Sequence, residues 1–407
     1  MSRDEDPPPD RPDPFTSRPS GTLPAALRGR RPTWIEVDLD ALAWNLGQIR
    51  RHLGAHRRIL AVVKADAYGH GAVPIALRLE AEGCDMLGVA TTEEGLLLRE
   101  AGVGAPVLVL GPADRYQVAA MADASLIPSI TTLTSLRAVI EEGRHRGRPI
   151  PVHLKIDTGM GRLGLLPSQI PAAIETFRTG AGAILLQGAF THLASSDDPD
   201  DSGTRAQIEC FDAALARLHE SGLHPAMTHA ANSGGILDHP DSWFDMVRPG
   251  ILLYGAHPSP RSRRLDLLPV LSFRTRLVLV KDMPAGSPIG YGRDFTTRRS
   301  GPIGTIPAGY ADGLSRILAT TGGALVRGQL APYAGRISMD YAMLDLTGVS
   351  GAAEGDEVVL LGRQQERSIT AETFAAWAGT IPWEALCGIG GRVPRFYVQS
   401  GTLREFL

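Results

Sequence analysis

Lysine is nearly absent from this 407-residue chain. Lys64, Lys155 and Lys281 are the only three, and the other 38 of its 41 basic residues are arginine. Arginine serves wherever a positive charge is enough. A lysine that remains is a candidate for its amine, which can deprotonate and form a Schiff base or a carbamate, as a guanidinium cannot. Codon bias with three accidental survivors is the bland alternative. Cysteine is equally scarce: Cys84, Cys210 and Cys387 stand far apart with no CxxC pair. A disulfide framework or structural zinc site is therefore not expected, and a reducing cytoplasm fits. Neither charge dominates, with 41 basic and 44 acidic residues and a net charge of −3. No basic field invites nucleic acid or an anionic membrane. No apolar run approaches the roughly 20 residues that span a bilayer. The start, Met-Ser-Arg-Asp-Glu-Asp-Pro-Pro-Pro, has no apolar stretch, so no secretory signal is expected.

What is present has the composition of a globular chain, 43% hydrophobic and 21% charged. At about 150 residues per domain, two or three domains are expected. Residues 1–30 hold seven prolines and almost no apolar pattern, which reads as a disordered tail; a docking segment is the alternative. From Arg58 to Gly255 short apolar runs alternate with helical patterns. The runs are Ile59–Val63, Met86–Ala90, Val107–Leu110, Leu126–Ile130, Val152–Ile156, Ile184–Phe190, Met227–Ala231 and Met246–Tyr254. Thr91 and Glu94 form a capping box before one helix, which Gly102 closes. Ile208, Phe211, Leu215 and Leu218 step by three and four along another. Eight strands alternating with helices predict a (β/α)₈ barrel over residues 31–262. A doubly wound sheet is the alternative, but its GxGxxG fingerprint after the first strand is missing. Beyond about residue 265, Phe273–Val280, Gly301–Ile306, Tyr333–Ile337 and Glu357–Leu361 read as strands among turns. With one short helix at Ser368–Ala378, residues 263–407 are expected to form a second, mostly β domain.

Chemistry in such a barrel sits at the C-terminal ends of the strands, and polar residues gather there. The first strand ends at Lys64, the fifth at Lys155 ahead of Asp157 and Arg162, the sixth at Thr191-His192. The seventh ends in His229-Ala-Ala-Asn232-Ser233, and the eighth carries Arg248-Pro-Gly250 and Tyr254. Two of the three lysines thus fall on the predicted rim; Lys281 has no assigned role. Asp157-Thr-Gly159 alone does not make an aspartic protease, which needs two such carboxylates.

The segment Ala61-Val-Val-Lys64-Ala-Asp-Ala-Tyr68-Gly-His-Gly resembles the cofactor-lysine motif of the alanine racemases. Val152-His-Leu-Lys155-Ile-Asp-Thr-Gly-Met-Gly-Arg162 is similar to a second motif of that family. Gly309-Tyr310-Ala-Asp312-Gly and Gly335-Arg336-Ile-Ser-Met339-Asp340 resemble two more. The resemblance covers about residues 33–400. It implies a fold-type III, pyridoxal phosphate-dependent isomerase that interconverts L- and D-alanine, works in the cytoplasm as a homodimer with shared active sites, and supplies D-alanine for peptidoglycan.

Racemisation takes a proton from one face of a carbon and returns one to the other, so two opposed bases are needed. By the resemblance, Lys64 carries the cofactor and is one base. Tyr291 of the partner chain is the other; a turn tyrosine in a Gly-rich loop is its plain alternative. Tyr68, Ser233, Gly250 and Ile251 match the family's phosphate contacts, with Asn232 beside them. A tyrosine that some members place before the Arg-Val-Pro segment is replaced by Gly391. Arg248 matches the arginine facing the pyridine nitrogen, where a permanent donor keeps that nitrogen unprotonated. His192 lies near the ring; no second ligand at useful spacing supports a metal there. Arg162, Met339, Asp340 and Tyr310 are expected around the substrate, with Tyr310 and Tyr254 narrowing the pocket. Tyr254 is as well explained by barrel packing. Lys155 and Arg162 would repel, and the family precedent is a carbamate on the lysine; pairing of Lys155 with Asp157 is the alternative. Two rival functions remain: a relative of the same fold racemising serine, lysine or several amino acids, or decarboxylating them, and a non-catalytic cofactor-binding barrel, which would lack the β domain.

Overall fold

The computed structural model describes residues 27, 29–54, 56–198, 200–262 and 264–404. The tail expected over 1–30 lies, apart from Leu27, Gly29 and Arg30, outside the described residues. The chain forms two compact units, one of residues 48–266 and one in which residues up to 47 join those from 267 onward.

The first strand, β1 (Trp34–Asp38), is not a barrel strand. The barrel consists of β2 (Arg58–Val62), β3 (Met86–Val89), β4 (Val107–Pro112), β5 (Leu126–Ile130), β6 (Ile150–Lys155), β7 (Ile184–Phe190), β8 (Met227–His229) and β9 (Met246–Val247). They run parallel in the order β8-β7-β6-β5-β4-β3-β2-β9. The Asp245 amide donates to the Thr228 carbonyl at 3.0 Å and the Arg248 amide to that of Ala231 at 2.9 Å, drawing β9 toward β8 and nearly closing the ring. The helices between the strands bury one face each. Ile208, Phe211, Leu215 and Leu218 are all buried along Ser202–Glu220. The Thr91/Glu94 capping box opens the helix Thr92–Glu100, and Gly102 follows its end at φ +83°. The last expected strand is shorter than Met246–Tyr254: it stops at Val247, and Ile251–Tyr254 is a single tight helical turn.

The β unit adds β10 (Leu271–Arg276), β11 (Leu279–Met283), β12 (Pro288–Ile289), β13 (Phe295–Thr296), β14 (Gly301–Ile306), β15 (Gly323–Val326), β16 (Gln329–Pro332), β17 (Ala342–Asp345), β18 (Glu357–Gln364), β19 (Arg367–Ile369), β20 (Arg395–Gln399) and β21 (Thr402–Arg404). Its main sheet runs β16-β15-β18-β10-β1-β20-β21, with a second sheet β11-β14-β17. β1 joins because Trp34, Ile35 and Val37 are buried there, Trp34 in one cluster with Leu27 and Phe396. Its polar positions are used too: Arg274 bridges Glu36 at 3.2 Å and Glu357 at 2.7 Å. The expected division at 31 and 263 thus differs from the two units, because residues 31–47 pack with the β strands. The strand expected at Tyr333–Ile337 does not form. Only Tyr333 bridges Leu344, and Gly335 turns the chain at φ +80°. The helix expected at Ser368–Ala378 starts later, at Ala371, where Thr370 caps it.

Candidate active site

Every site residue expected within the barrel lies at the C-terminal end of a strand or in the segment that follows. Lys64 is half-buried two residues beyond β2. The next four residues, Ala65, Asp66, Ala67 and Tyr68, all have φ between 51° and 56°. A left-handed turn of L-residues is strained by about 1–2 kcal/mol per residue, so the surroundings must hold it. Glu94 Oε1 accepts the Ala65 amide at 2.7 Å. Asp66 accepts the Ala72 amide through its carboxylate at 2.7 Å and the Gly71 amide through its carbonyl at 2.9 Å. His70 Nδ1 donates to the Tyr68 carbonyl at 3.0 Å.

This turn carries Tyr68 inward over Tyr254, ring centroids 4.8 Å apart. Tyr254 is buried and donates its hydroxyl to the Val62 carbonyl at 2.9 Å. It supports Tyr68 from within the barrel and is not an open pocket wall. The Tyr68 hydroxyl lies so close to Gly250 that a Cβ there would be 2.5 Å from it. The Gly250 amide in turn donates to Ser233 Oγ at 3.1 Å. Asn232 caps the short helix Ser233–Asp238 by accepting the Gly235 amide at 3.0 Å, and Ser196 donates to the same oxygen at 2.6 Å. Ile251 is fully buried behind them. Two hydroxyls and a glycine backbone therefore converge after the seventh and eighth barrel strands, the place where this architecture commonly binds phosphate. A side chain at 250 would fill that cradle.

The rest of the rim is cationic. Arg248 is buried, and among the described residues no carboxylate pairs with it. Its Nη2 donates to the carbonyls of Thr191 and Ala230, each at 2.8 Å, and approaches His192 Nδ1 at 3.3 Å; Nη1 reaches His229 Nδ1 at 3.0 Å. Burial lowers its pKa to about 9, so it stays a cation at neutral pH. Burial and then the charges of Arg248, Arg162, Lys155 and Lys64 hold His192 well below the ordinary imidazole range. His192 is thus a neutral ring among cations, which disfavours the metal reading.

Lys155 ends β6, buried, with its Nζ 5.3 Å from the centroid of Phe190. Burial first, then Arg248, Arg162 and Lys64, lowers its pKa to about 8. Asp157 does not form its ion pair. That carboxylate is spent on the amides of Gly159, Gly161 and Arg162, each at 3.0 Å, and shapes the loop that carries Arg162. Lys155, Arg162, Thr191 and His192 line one narrow groove together.

The other expected residues belong to the β unit. Tyr291 is 72% exposed in a turn flanked by Gly290 and Gly292, both at positive φ, and braced by the Arg336–Asp294 ion pair. Met339 and Tyr310 are also exposed, and Asp340 pairs with Arg392 at 2.9 Å. The Ser338 and Met339 carbonyls accept the amides of Tyr310 and Ala311 at 2.9 and 3.1 Å, so these residues form one patch. Buried Asp312 supports the patch, accepting from Arg31 and Arg392. Sequence reasoning read Glu94 only as a helix cap and gave His153 no role. Period two along a strand puts His153 on the same face as Lys155, and that spacing was the available signal.

Two family descriptions match the chain: "Alanine racemase, N-terminal domain" over residues 37–258 and "Alanine racemase, C-terminal domain" over residues 270–397. A relative named alanine racemase from Symbiobacterium thermophilum is 44% identical over 372 residues, covering 91% of this chain and 98% of the relative. Alanine racemase 2 of Caldanaerobacter subterraneus is 42% identical, covering 92% and 96%. Among solved structures, the alanine racemase of Clostridium difficile superposes with a TM-score of 0.87 at 36% identity, covering 92% of this chain and 97% of the other. That of Bacillus anthracis with bound L-Ala-P gives 0.86 at 34% identity. The chain belongs to the alanine racemase family.

Proposed function

We propose that this chain racemises alanine with pyridoxal phosphate, using Lys64 and the Tyr291 of a second copy as its two bases. The observation that carries this reading is the convergence of three features on one rim: the Lys64 amine, the hydroxyl cradle of Tyr68, Ser233 and Gly250, and the buried Arg248 cation. These residues fit the cofactor, since the cradle is sized by the missing side chain at Gly250. When bound, pyridoxal phosphate supplies an aldehyde for the Lys64 amine and a sink for the electrons left at the substrate's α-carbon.

The chain's residues then have separate tasks. Lys64 Nζ takes or returns the α-proton on one face, and Tyr291 Oη does so on the other. Arg248 is only ever a donor, so it would leave a ring nitrogen held against it without a proton and would limit the electron sink. That would favour quick reprotonation over transamination. His192 lies beside Arg248. Arg162 supplies positive charge for the phenolate and the substrate carboxylate; Met339, Asp340 and Tyr310 of the second copy bound the small pocket. The amine of Lys155 has a pKa near neutrality, so its uncharged form is available to add carbon dioxide and release one proton. The resulting carbamate anion replaces repulsion with attraction toward Arg162 and Arg248. The exposed Tyr291, Tyr310, Met339 and Tyr341 of the β unit favour a homodimer with shared sites. On this reading the enzyme is cytoplasmic and its D-alanine serves peptidoglycan.

The test is D-alanine production from L-alanine by the purified protein, followed with a D-amino-acid oxidase couple, beside a panel of L-serine, L-lysine and L-glutamate. Alanine turnover well above the others is expected. No D-alanine formed, or serine turned over faster, overturns the proposal.

A further inference from the structure

Against Arg248 packs a buried polar chain that the two-base scheme does not use. His229 Nδ1 is 3.0 Å from Arg248 Nη1, and His229 Nε2 is 2.8 Å from His153 Nδ1. Both imidazoles are fully buried. Burial, the Arg248 charge and the neighbouring ring hold His229 well below the ordinary range, and burial brings His153 to about 4. Arg248 and each other are the charged or titratable groups acting on the pair.

Hydrogen-bond polarity determines the rest. A guanidinium can only donate, so His229 Nδ1 must be the bare, accepting nitrogen. The proton of neutral His229 is then on Nε2 and is donated to His153 Nδ1. His153 must in turn carry its own proton on Nε2. That atom and Oε1 of Gln187 are both buried and outside normal hydrogen-bond geometry to any partner. The polar sequence is therefore consistent from Arg248 through His229 to His153.

Packing enforces the same arrangement. Phe190 stacks on His229 at 4.8 Å with an interplanar angle of 2°, which blocks ring rotation. Gly188 makes room for His153: a Cβ at 188 would lie 2.5 Å from Cε1 and 2.6 Å from Nδ1 of that ring. Rings packed this closely do not exchange donor and acceptor without repacking.

We propose that His153 and His229 are positioning residues that form a one-way hydrogen-bond chain, Arg248 to His229 to His153, fixing the guanidinium of Arg248 in plane and in protonation. Protonating either ring would set donor against donor beneath Arg248. The catalytic consequence rests on the role proposed above for Arg248; the tautomers do not.

The experiment is long-range ¹⁵N–¹H NMR of the cofactor-loaded protein labelled with ¹⁵N-histidine, with signals assigned from His153→Gln and His229→Gln. Both rings are expected to show a bare Nδ1 and a protonated Nε2, unchanged down to about pH 5, below the ordinary histidine value of about 6.5. An Nδ1–H tautomer, or an imidazolium at His229, would overturn the chain whatever the enzyme's activity. His153→Leu removes the acceptor for His229. It should lower kcat about tenfold at unchanged KM, the scale of one orienting hydrogen bond. His153→Gln, which can accept at one end and donate at the other, should restore most of it. Equal losses in both variants would reduce His153 to packing and sink the positioning role.

Discussion

The carboxylate of Glu94 accepts the backbone N–H of Ala65 at 2.7 Å, one residue beyond Lys64, and with its other oxygen that of Ala90 at 2.6 Å. It ties the loop after β3 to the left-handed turn after β2. Hydrogen bonds to a charged group contribute about 1.5–3 kcal/mol each. Glu94→Ala should therefore lower thermal stability by an amount on that order and speed amide exchange at Ala65. Conversely, Ala65→Gly should be neutral or stabilising, because glycine carries no penalty at φ 53° and the position is exposed. Thermal denaturation of the two variants checks both signs. A destabilised Ala65→Gly would show that the turn is not strained at that residue.

A second prediction concerns the phosphate cradle. Gly250→Ala places a carbon 2.5 Å from the Tyr68 hydroxyl, so Tyr68 must move. Cofactor affinity, titrated by absorbance on the stripped protein, should fall at least about tenfold, one charge-assisted hydrogen bond's worth. Adding Tyr68→Phe removes the clashing oxygen. The double variant should regain stability but not affinity. Recovery of affinity would mean that the hydroxyl takes no part in holding the phosphate.

Much of this site is legible in the sequence because barrel strands are short apolar runs, and their ends follow directly from where those runs stop. Lys64, Lys155 and Arg248 can be placed on one rim without coordinates. What cannot be read locally depends on distant partners. β1 pairs with Leu271–Arg276 and Arg395–Gln399, more than two hundred residues away, and nothing within Trp34–Asp38 announces them. Nothing in Ala-Asp-Ala-Tyr announces four positive φ angles either, since Glu94 accepts the Ala65 amide, Asp66 that of Ala72, and His70 donates to the Tyr68 carbonyl. The same holds for Asp157, whose carboxylate looked available to Lys155 until three loop amides claimed it.

Lys155 gives a pH prediction. Its pKa in the fold is about 8, against about 10.4 for an ordinary lysine. Between those values the folded state binds fewer protons than the unfolded chain, so stability rises with pH across this window and the cost of a buried cation is complete below it. In buffer free of carbon dioxide, Lys155→Met should stabilise the protein most below about pH 8, and the gain should vanish as pH approaches about 10. With ¹³C-bicarbonate, the native protein should show a carbamate resonance that Lys155→Met lacks. Persistence of an unmodified amine at high bicarbonate would overturn the carbamate.

Arg248→Glu tests the tuning of the ring nitrogen. A carboxylate facing that atom would stabilise a proton on it and spread the carbanion further. Transamination, read as pyruvate formed per D-alanine formed, should rise relative to racemisation, while racemisation itself falls by orders of magnitude. An unchanged product ratio would refute the assignment of Arg248.

Whether the sites are shared can be read from mixing two dead proteins. Lys64→Ala lacks one base and Tyr291→Phe the other, and each homodimer should retain below about one thousandth of native turnover. If Tyr291 serves the barrel of the other copy, a dimer of one variant with the other has one site missing both bases and one site with both intact. Random exchange makes half of the dimers mixed, and half of their sites are complete. Activity should therefore recover to about one quarter of native in an equimolar mixture. The recovery should appear only under conditions that permit subunit exchange. If Tyr291 instead serves its own chain, every site in the mixture lacks one base and no activity returns. The phenol's 72% exposure is what a residue reaching toward a second molecule requires, and the mixing experiment decides between these two arrangements without any structure of the dimer.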